Sequence, residues 1–317
     1  MSVYDIVIVT DDKGKLSTKE SAYAFVLAEE TALLAFLTTN SKQIRVARLS
    51  WKEEFDWSLT KAVIVRSPFD YYVDDLSNFL AWLDLLEKLH TQVMNSVAHI
   101  RWNIDKHYLA QLHSLGCSIP DSIFIEKSAG TAPSLLQLLH SREHWAHGAV
   151  LKPTVSSSAA NTYHITSTNA HTLQDIFNAL FPSFDFIFQQ YLPEIKSKGE
   201  VSLIFINGKY LHAVLKKPTN DDFRVQCCYG GVECEYIPSA KEITFANSCL
   251  ALVPFNMPLF ARVDVVSGQG EKMYLMELEL IEPQLYFPSL SEKSNERLVK
   301  SMAKEILRRL GLRADAT

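Results

Sequence analysis

Residues 260–287, FARVDVVSGQGEKMYLMELELIEPQLYF, read as two apolar strands joined by a turn that contains Gly268 and Gly270. Side chains two apart on a strand share a face, so Arg262 points with Asp264 and Glu277 points with Glu279. A tight closure at Gly270-Glu271, where glycine suits the first central position of a II′ turn, sets Asp264 opposite Glu277 and Arg262 opposite Glu279. Three acids and an arginine then share one face of a sheet otherwise built from Val, Leu, Met and Tyr. Burying such a group without partners is unfavourable by roughly 2–5 kcal/mol or more. Two arrangements relieve it. One is a hard divalent cation, because Mg2+ takes carboxylate oxygens together with phosphate oxygens; the other is an internally paired arginine–carboxylate network.

The rest of the chain sets the frame. Its 317 residues allow two or three packed lobes, and 47% apolar with 21% charged residues describes an ordinary globular protein. A net charge of −5 without a long basic run argues against nucleic acid or an anionic membrane as the main partner. No stretch approaches the roughly 18 apolar residues that span a bilayer. The first residues, MSVYDIVIVTDDKGK, lack a basic leader region, so a cytoplasmic location rather than secretion is expected. Five cysteines without framework spacing suit a reducing compartment, and Cys227, Cys228 and Cys234 lack the CxxC or HxxxH partners of a zinc site.

In chain order, Tyr4 to Val9 is a buried strand, followed by a helix over 17–36 with Ser17 as N-cap and Glu20 in the capping-box position. Strands follow at 44–49 and 61–66. Ligands approach the carboxyl ends of strands in open α/β layers, which makes Asp11, Arg66 and Asp70 candidate substrate contacts. Helices are expected over 75–93 and from about Ile104 to Gly116, with Lys106 in the first turn of the second. A cation is misplaced at that end of a helix dipole unless an anion such as phosphate comes near. The VLKP strand carries Lys152, and the loop after it, Ser156, Ser157, Ser158 and on to Thr162, can cradle phosphate through backbone N–H groups. No GxxxxGK[ST] occurs. Asn207-Gly208-Lys209 signals a hairpin, on whose return strand His212 shares a face with Lys216; His212 is read as a satisfied sheet histidine. A basic amphipathic helix over 291–312 closes the chain and is expected to pack across the lobes.

These stretches, in order, resemble the ATP-grasp superfamily, and within it the glutathione-synthetase-like and RimK-like branch that includes the cyclo-ligase forming D-cycloserine. The resemblance runs from about Val63 to Phe287 and is carried by VIVRSPFDYY, Lys106, VLKP, FQQYLPEIKSKGEVSLIFINGKYLHAVLKK, FRVQCCYGG and RVD…MELELIEP. It implies an α/β fold with an N-terminal open α/β domain over 1–95, a small lobe over 96–183 and a large lobe over 184–317, the last two enclosing ATP. It also implies that Lys106, Lys152 and the serine loop hold the ATP phosphates. Gln190 and the main chain of Tyr191 and Leu192 hold adenine, and Glu200 the ribose. Arg224 and Arg262 serve the γ-phosphate and acyl phosphate. Asp264, Glu277 and Glu279 ligate Mg2+, two ions by the resemblance and with Mn2+ as a substitute, and Glu282 is a further candidate at the same strand end. Glu279 stands where most of the family has Asn, and the phosphate loop SSSAANT lacks the glycines of its relatives.

The implied activity is ATP-dependent ligation of a small-molecule carboxylate to an amine, within one molecule or between two, through an acyl phosphate. A homodimer is what similar proteins suggest. Two alternatives stay open at this point: a small-molecule kinase, and a nucleotide-binding regulatory protein without turnover. No GxSxG motif or Ser-His-Asp set offers a different chemistry.

Overall fold

Strands buried on both faces read as continuous runs of Val and Ile, and β1 (Tyr4–Thr10) and β3 (Thr60–Ser67) do so. In the computed structural model, which describes residues 3–12, 24–40, 44–72, 75–219 and 222–312, they lie side by side in a parallel sheet of order β2-β1-β3-β4. Ile6 and Ile8 pack on one side against α1 (Ala24–Asn40) and α9 (Glu292–Arg309). Val7, Val9, Val63 and Val65 pack on the other against Phe79, Trp82, Leu83 and Leu86 of α2 (Leu76–Lys88). β2 is Val46–Ser50. The capping residues Ser17 and Glu20 lie outside the described residues.

Two expected helices differ from what forms. The helix over 75–93 stops at Lys88, because His90 turns into the left-handed region (φ 53°) and frees Gln92–Met94 to pair with β3 as β4. The helix expected from about Ile104 to Gly116 is preceded by a separate helix, α3 (Val97–Ile104, N-capped by Ser96), and is itself the shorter α4 (Tyr108–Ser114). Asp105 is extended between them, so Lys106 sits in the connecting turn rather than in a helix's first turn.

A second sheet, antiparallel throughout, has the order β5-β8-β6-β7 from Ser122–Ile125, Phe186–Gln190, Ala149–Pro153 and Tyr163–Ile165. β8 lies beyond the 183 boundary expected from sequence, yet it pairs with β5 and β6 and so belongs to this sheet. Helices α5 (Leu135–His140) and α6 (Ala170–Leu180) cover one face through Leu135 and Phe177 against Phe186 and Phe188. After the single turn α7 (Glu194–Ser197) comes the third sheet, order β11-β10-β9-β12-β13. Its strands are β9 (Glu200–Ile206), β10 (Lys209–Lys217), β11 (Val232–Tyr236), β12 (Phe260–Ser267) and β13 (Met273–Glu279). Asn207 and Gly208, at φ 48° and 72°, make the expected β9–β10 hairpin. One face packs Leu203, Phe205, Val263 and Val265 against α4 and α8 (Ala240–Ala251). α9 packs mainly on α1 and reaches β9, which ties the first sheet to the third. Among the described residues no helix is long and apolar enough to cross a membrane.

Candidate active site

The opposite face of the third sheet is polar, and strand register explains why. Arg262 pairs with Glu279 and Asp264 with Glu277 across β12 and β13. The turn differs from the tight one expected: three residues, Gln269–Glu271, span it, with Gly270 at φ 60° and Glu271 at φ 58°. That extra residue moves the register by one near the turn, where Val265 faces Leu275, and a bulge between Asp264 and Val265 moves it back. The carboxylates therefore meet as the sequence required. On the far side Ser202 of β9 faces Asp264, and Lys216 of β10 faces Glu200.

These pairs form a buried network. Asp264 accepts from Ser202 Oγ (2.6 Å), Lys216 Nζ (3.1 Å) and the Arg262 guanidinium (3.0 Å). Lys216 also meets Glu200 at 2.5 Å, and Arg262 contacts Glu279. From the turn before α4, Lys106 reaches Glu277 at 3.3 Å. Burial pushes upward on Glu277, but Lys106 and Lys152 outweigh it and hold the carboxyl below its ordinary value. Glu279 differs. Burial raises it to about 8, and Arg262 does not outweigh burial plus the charges of Glu277 and Asp264. Internal pairing is thus real, yet it does not keep all three carboxyls ionised, and Glu279 holds its proton up to about pH 8. Asp264, Glu277 and Glu279 each offer an oxygen, all within 4.8 Å of one another. Hard carboxylate oxygens so gathered fit a divalent cation, which would take the place of that proton.

The open edge of β13, which carries two of the acids, is closed near the turn by a backbone bond from Leu275 N to Ser118 O (2.8 Å) and beside the acids by side chains. Asn103 donates to Leu278 O (2.7 Å) and accepts from Leu280 N (2.7 Å), while Tyr108 Oη accepts from Leu278 N (3.0 Å). Asn95 holds the adjoining ends, donating to Phe260 O and Leu280 O.

A cavity of about 490 Å3 opens over this face, between the three sheets. It is lined by Lys106, Lys152, Ser156, Ser157, Ser158, Gln190, Tyr191, Leu192, Glu200, Arg224, Arg262, Glu277, Glu279 and Glu282. Lys152 is half-buried, and loss of solvent lowers its pKa despite Glu277 nearby. Lys106 Nζ also donates to Ser156 O (2.7 Å), at the start of the serine loop. In that loop Ser158, Ala159 and Asn161 take φ of 52–53°, a left-handed backbone without the glycines that usually permit it. Such strain is about 1–3 kcal/mol per residue and gathers at functional loops. At another end of the cavity, Tyr191 and Phe223 cluster with His164, ring centroids 4.3–6.3 Å apart. Tyr191 N donates to Gly148 O and Gln190 N to Asp121 O, so Tyr191 offers its carbonyl rather than its N–H to a ligand. Arg224 lies in a loop, fixed by Asp222 (2.7 Å) and stacked 3.5 Å from the Tyr229 ring centre.

The three candidate substrate contacts are not brought to the cavity. Arg66 is 1% exposed and bonds Glu29 (2.9 Å) and Pro283 O (3.0 Å), a tie between lobes. Asp11 is wholly buried, its N–H donating to Ser67 O, and Asp70 accepts from Trp51 Nε1 and pairs with Lys52. For Arg66 the strand-end rule misled because Glu29 of α1 and the carbonyl of Pro283 cover it. His212 is a buried sheet histidine satisfied on one side only: Nε2 meets Leu285 O at 3.0 Å, Nδ1 has no partner among the described residues, and burial lowers its pKa to about 4. Reading by strand missed Lys216, Asn95, Asn103 and Tyr108. Only Lys216 left a signal, a lysine in phase with buried neighbours on β10.

Fold and site together define an ATP-grasp enzyme, an ATP-dependent carboxylate–amine ligase, and the chain belongs to that superfamily. Residues 133–284 match the family model for the ATP-grasp domain of prokaryotic glutathione synthetase, and residues 6–95 match that for the N-terminal domain of D-cycloserine synthetase DcsG. Among known proteins, the chain is similar to the cycloserine biosynthesis protein DcsG of Streptomyces lavendulae, with 24% identity over 79% of this chain and 85% of that one. Glutathione synthetase of Rhodopseudomonas palustris is 28% identical over 63% of this chain, which spans 59% of that relative's length. The crystal structure of D-cycloserine synthetase DcsG superposes with a TM-score of 0.79 at 22% identity, covering 96% and 99% of the two chains. D-alanine–D-alanine ligase from Bacillus anthracis, complexed with ATP, superposes at 0.66 with 16% identity over 98% and 99%.

Proposed function

We propose that the protein uses ATP and Mg2+ to activate the carboxylate of an amino-acid-like small molecule as an acyl phosphate, then joins it to an amine. The observation that carries this is the meeting of Glu277 and Glu279 with Lys106 and Lys152 in one cavity, with the buried Asp264 offering an oxygen within 4.8 Å of theirs. In this reading Lys106, Lys152 and the strained serine loop hold the phosphates. The Gln190–Leu192 stretch and its aromatic neighbours hold adenine, and Glu200 the ribose. Asp264, Glu277 and Glu279 hold two Mg2+ ions, with Mn2+ as a substitute; bound there, the metal neutralises phosphate charge. The lobes divide near residue 95 and after Gln190. Five unbridged cysteines among the described residues suit a cytoplasmic location.

The chemistry asks for positioning more than for covalent catalysis. A carboxylate oxygen attacks the γ-phosphorus and ADP leaves. The amine nitrogen then attacks the acyl carbon, loses a proton, and phosphate leaves. Arg262, fixed by Asp264 and Glu279, and Arg224, fixed by Asp222, face developing negative charge from a preorganised setting. A mass-resolved assay with ATP, Mg2+ and pooled amino acids and small carboxylates, with and without hydroxylamine, tests the proposal. Hydroxamate with ADP and phosphate is expected. A phosphorylated product stable to hydroxylamine would instead make the protein a kinase.

A further inference from the structure

Two carboxylates in the cavity are left over once the phosphate, ribose and metal roles are assigned, and one of them, Glu233, accepts from Gln284 and Ser289 (3.4 Å each). Glu282 lines the same space, yet it is not among the acids whose oxygens gather within 4.8 Å. Its Oε1 accepts from Tyr71 Oη at 3.0 Å, while Oε2 is secluded and meets no donor among the described residues. Neither partner is free to drift. The Tyr71 ring stacks on Phe79 with centroids 4.7 Å apart at 23°, and the residue after Glu282 is held through its carbonyl by Arg66. A carboxylate so placed needs a proton or a cation.

Among the described residues no side-chain cation forms an ion pair with Glu282, although the charges of Lys106 and Arg262 reach it. Lys106 is engaged by Ser156 O and Glu277, Lys216 by Glu200 and Asp264, and Arg262 by Asp264 and Glu279. Arg224 is held by Asp222, and Lys152 lies against Gln189. The cavity wall also offers aromatic and apolar groups, Phe69, Tyr72 and Ile281 among them. Glu282 is half-buried and lines the cavity, so seclusion of one oxygen leaves the rest of the side chain within reach of a ligand.

Resting on the ligase reading of this cavity, we infer that Glu282, oriented by Tyr71, anchors a protonated amino group of the carboxylate substrate. An ammonium held in an ion pair has no lone pair. It is therefore not the nitrogen that attacks the acyl phosphate. The substrate class is an amino acid whose own ammonium is a handle; the reacting nitrogen is a second one in the same molecule or comes from another molecule.

The test is calorimetric binding to the full chain with Mg2+ and a non-hydrolysable ATP analogue. The probes are the standard amino acids, their D-enantiomers and the matching carboxylic acids without the amino group, on wild type, Glu282→Gln and Tyr71→Phe. An amino acid is expected to bind wild type at least about tenfold more tightly than its des-amino twin. Glu282→Gln removes that difference, Tyr71→Phe shrinks it, and the ATP analogue binds all three proteins alike. Equal binding of the two probe classes to wild type, or an undiminished preference in Glu282→Gln, overturns the anchor. Tyr71→Phe guards against a Glu282 variant that fails to fold. Hydroxylamine trapping run in parallel separates the two readings. Hydroxamates formed equally from both classes keep the ligase and sink the anchor. An amino-acid preference that depends on Glu282 without any hydroxamate keeps the anchor and sinks the ligase.

Discussion

At the scale of the residue, Glu277 is the side chain on which most of the site's charge converges. Lys106 and Lys152 oppose the burial that would raise its pKa, and both lose an anionic partner if it becomes neutral. Glu277→Gln keeps shape and volume and removes only charge. It is expected to lower turnover by about 10^3-fold or more, on the scale of losing a charge-stabilising group in an active site. Mg2+-dependent ATP binding, followed by calorimetry, should vanish while the urea midpoint stays near that of wild type. Full turnover in this variant would show the metal assignment to be wrong. The acids were legible in the sequence because alternation along a strand is local information. Lys216 was not, since its partners Glu200 and Asp264 lie on two other strands, and no single strand announces its neighbours. Arg66 was misread for the same reason: Glu29, 37 residues away, decides what it does.

At the scale of the element, β13 is an edge strand with a function, and edges are normally protected or short. Asn103 replaces the missing neighbour by bonding Leu278 O and Leu280 N, the peptides that flank Glu279. Asn103→Ala leaves two buried backbone groups without partners, each worth about 1–3 kcal/mol. A lower urea midpoint is expected, together with a higher Mg2+ concentration for half-saturation, because the strand bearing the ligands is loosened. A drop in stability with an unchanged Mg2+ titration would reduce Asn103 to a structural cap. The hairpin itself was legible down to which residues face each other, although its turn was not. A three-residue turn and a one-residue bulge displace the register in opposite senses, so the pairing near the acids is the one a two-residue turn would have given. The amphipathic pattern over 75–93 hid β4, because three residues are too few to show a period of their own.

At the scale of the whole molecule, the three sheets were legible as lobes, but the seam between them was not, since it is made of residues distant in sequence. Glu29 of α1 lies in that seam. Its carboxylate accepts from Arg66 of β3 (2.9 Å), from Leu285 N (2.9 Å) and from Phe287 N (3.2 Å), which joins the first sheet to the segment leaving the active-site hairpin. Burial raises its pKa to about 7, from 4.5, and the Arg66 charge and two N–H donors only partly oppose that. The folded state therefore binds this proton more tightly than the unfolded chain does. The stabilisation linked to it is fully present below the unfolded value and is lost as pH rises through about 7. The total is about 3 kcal/mol. Measured by urea unfolding, the stability of wild type minus that of Glu29→Gln should fall by most of this between pH 5 and pH 8, because glutamine keeps an acceptor for Leu285 and Phe287 but does not titrate. A difference that stays constant across that range would mean that Arg66 holds Glu29 ionised throughout. The seam would then be a permanent ion pair rather than one whose strength follows pH.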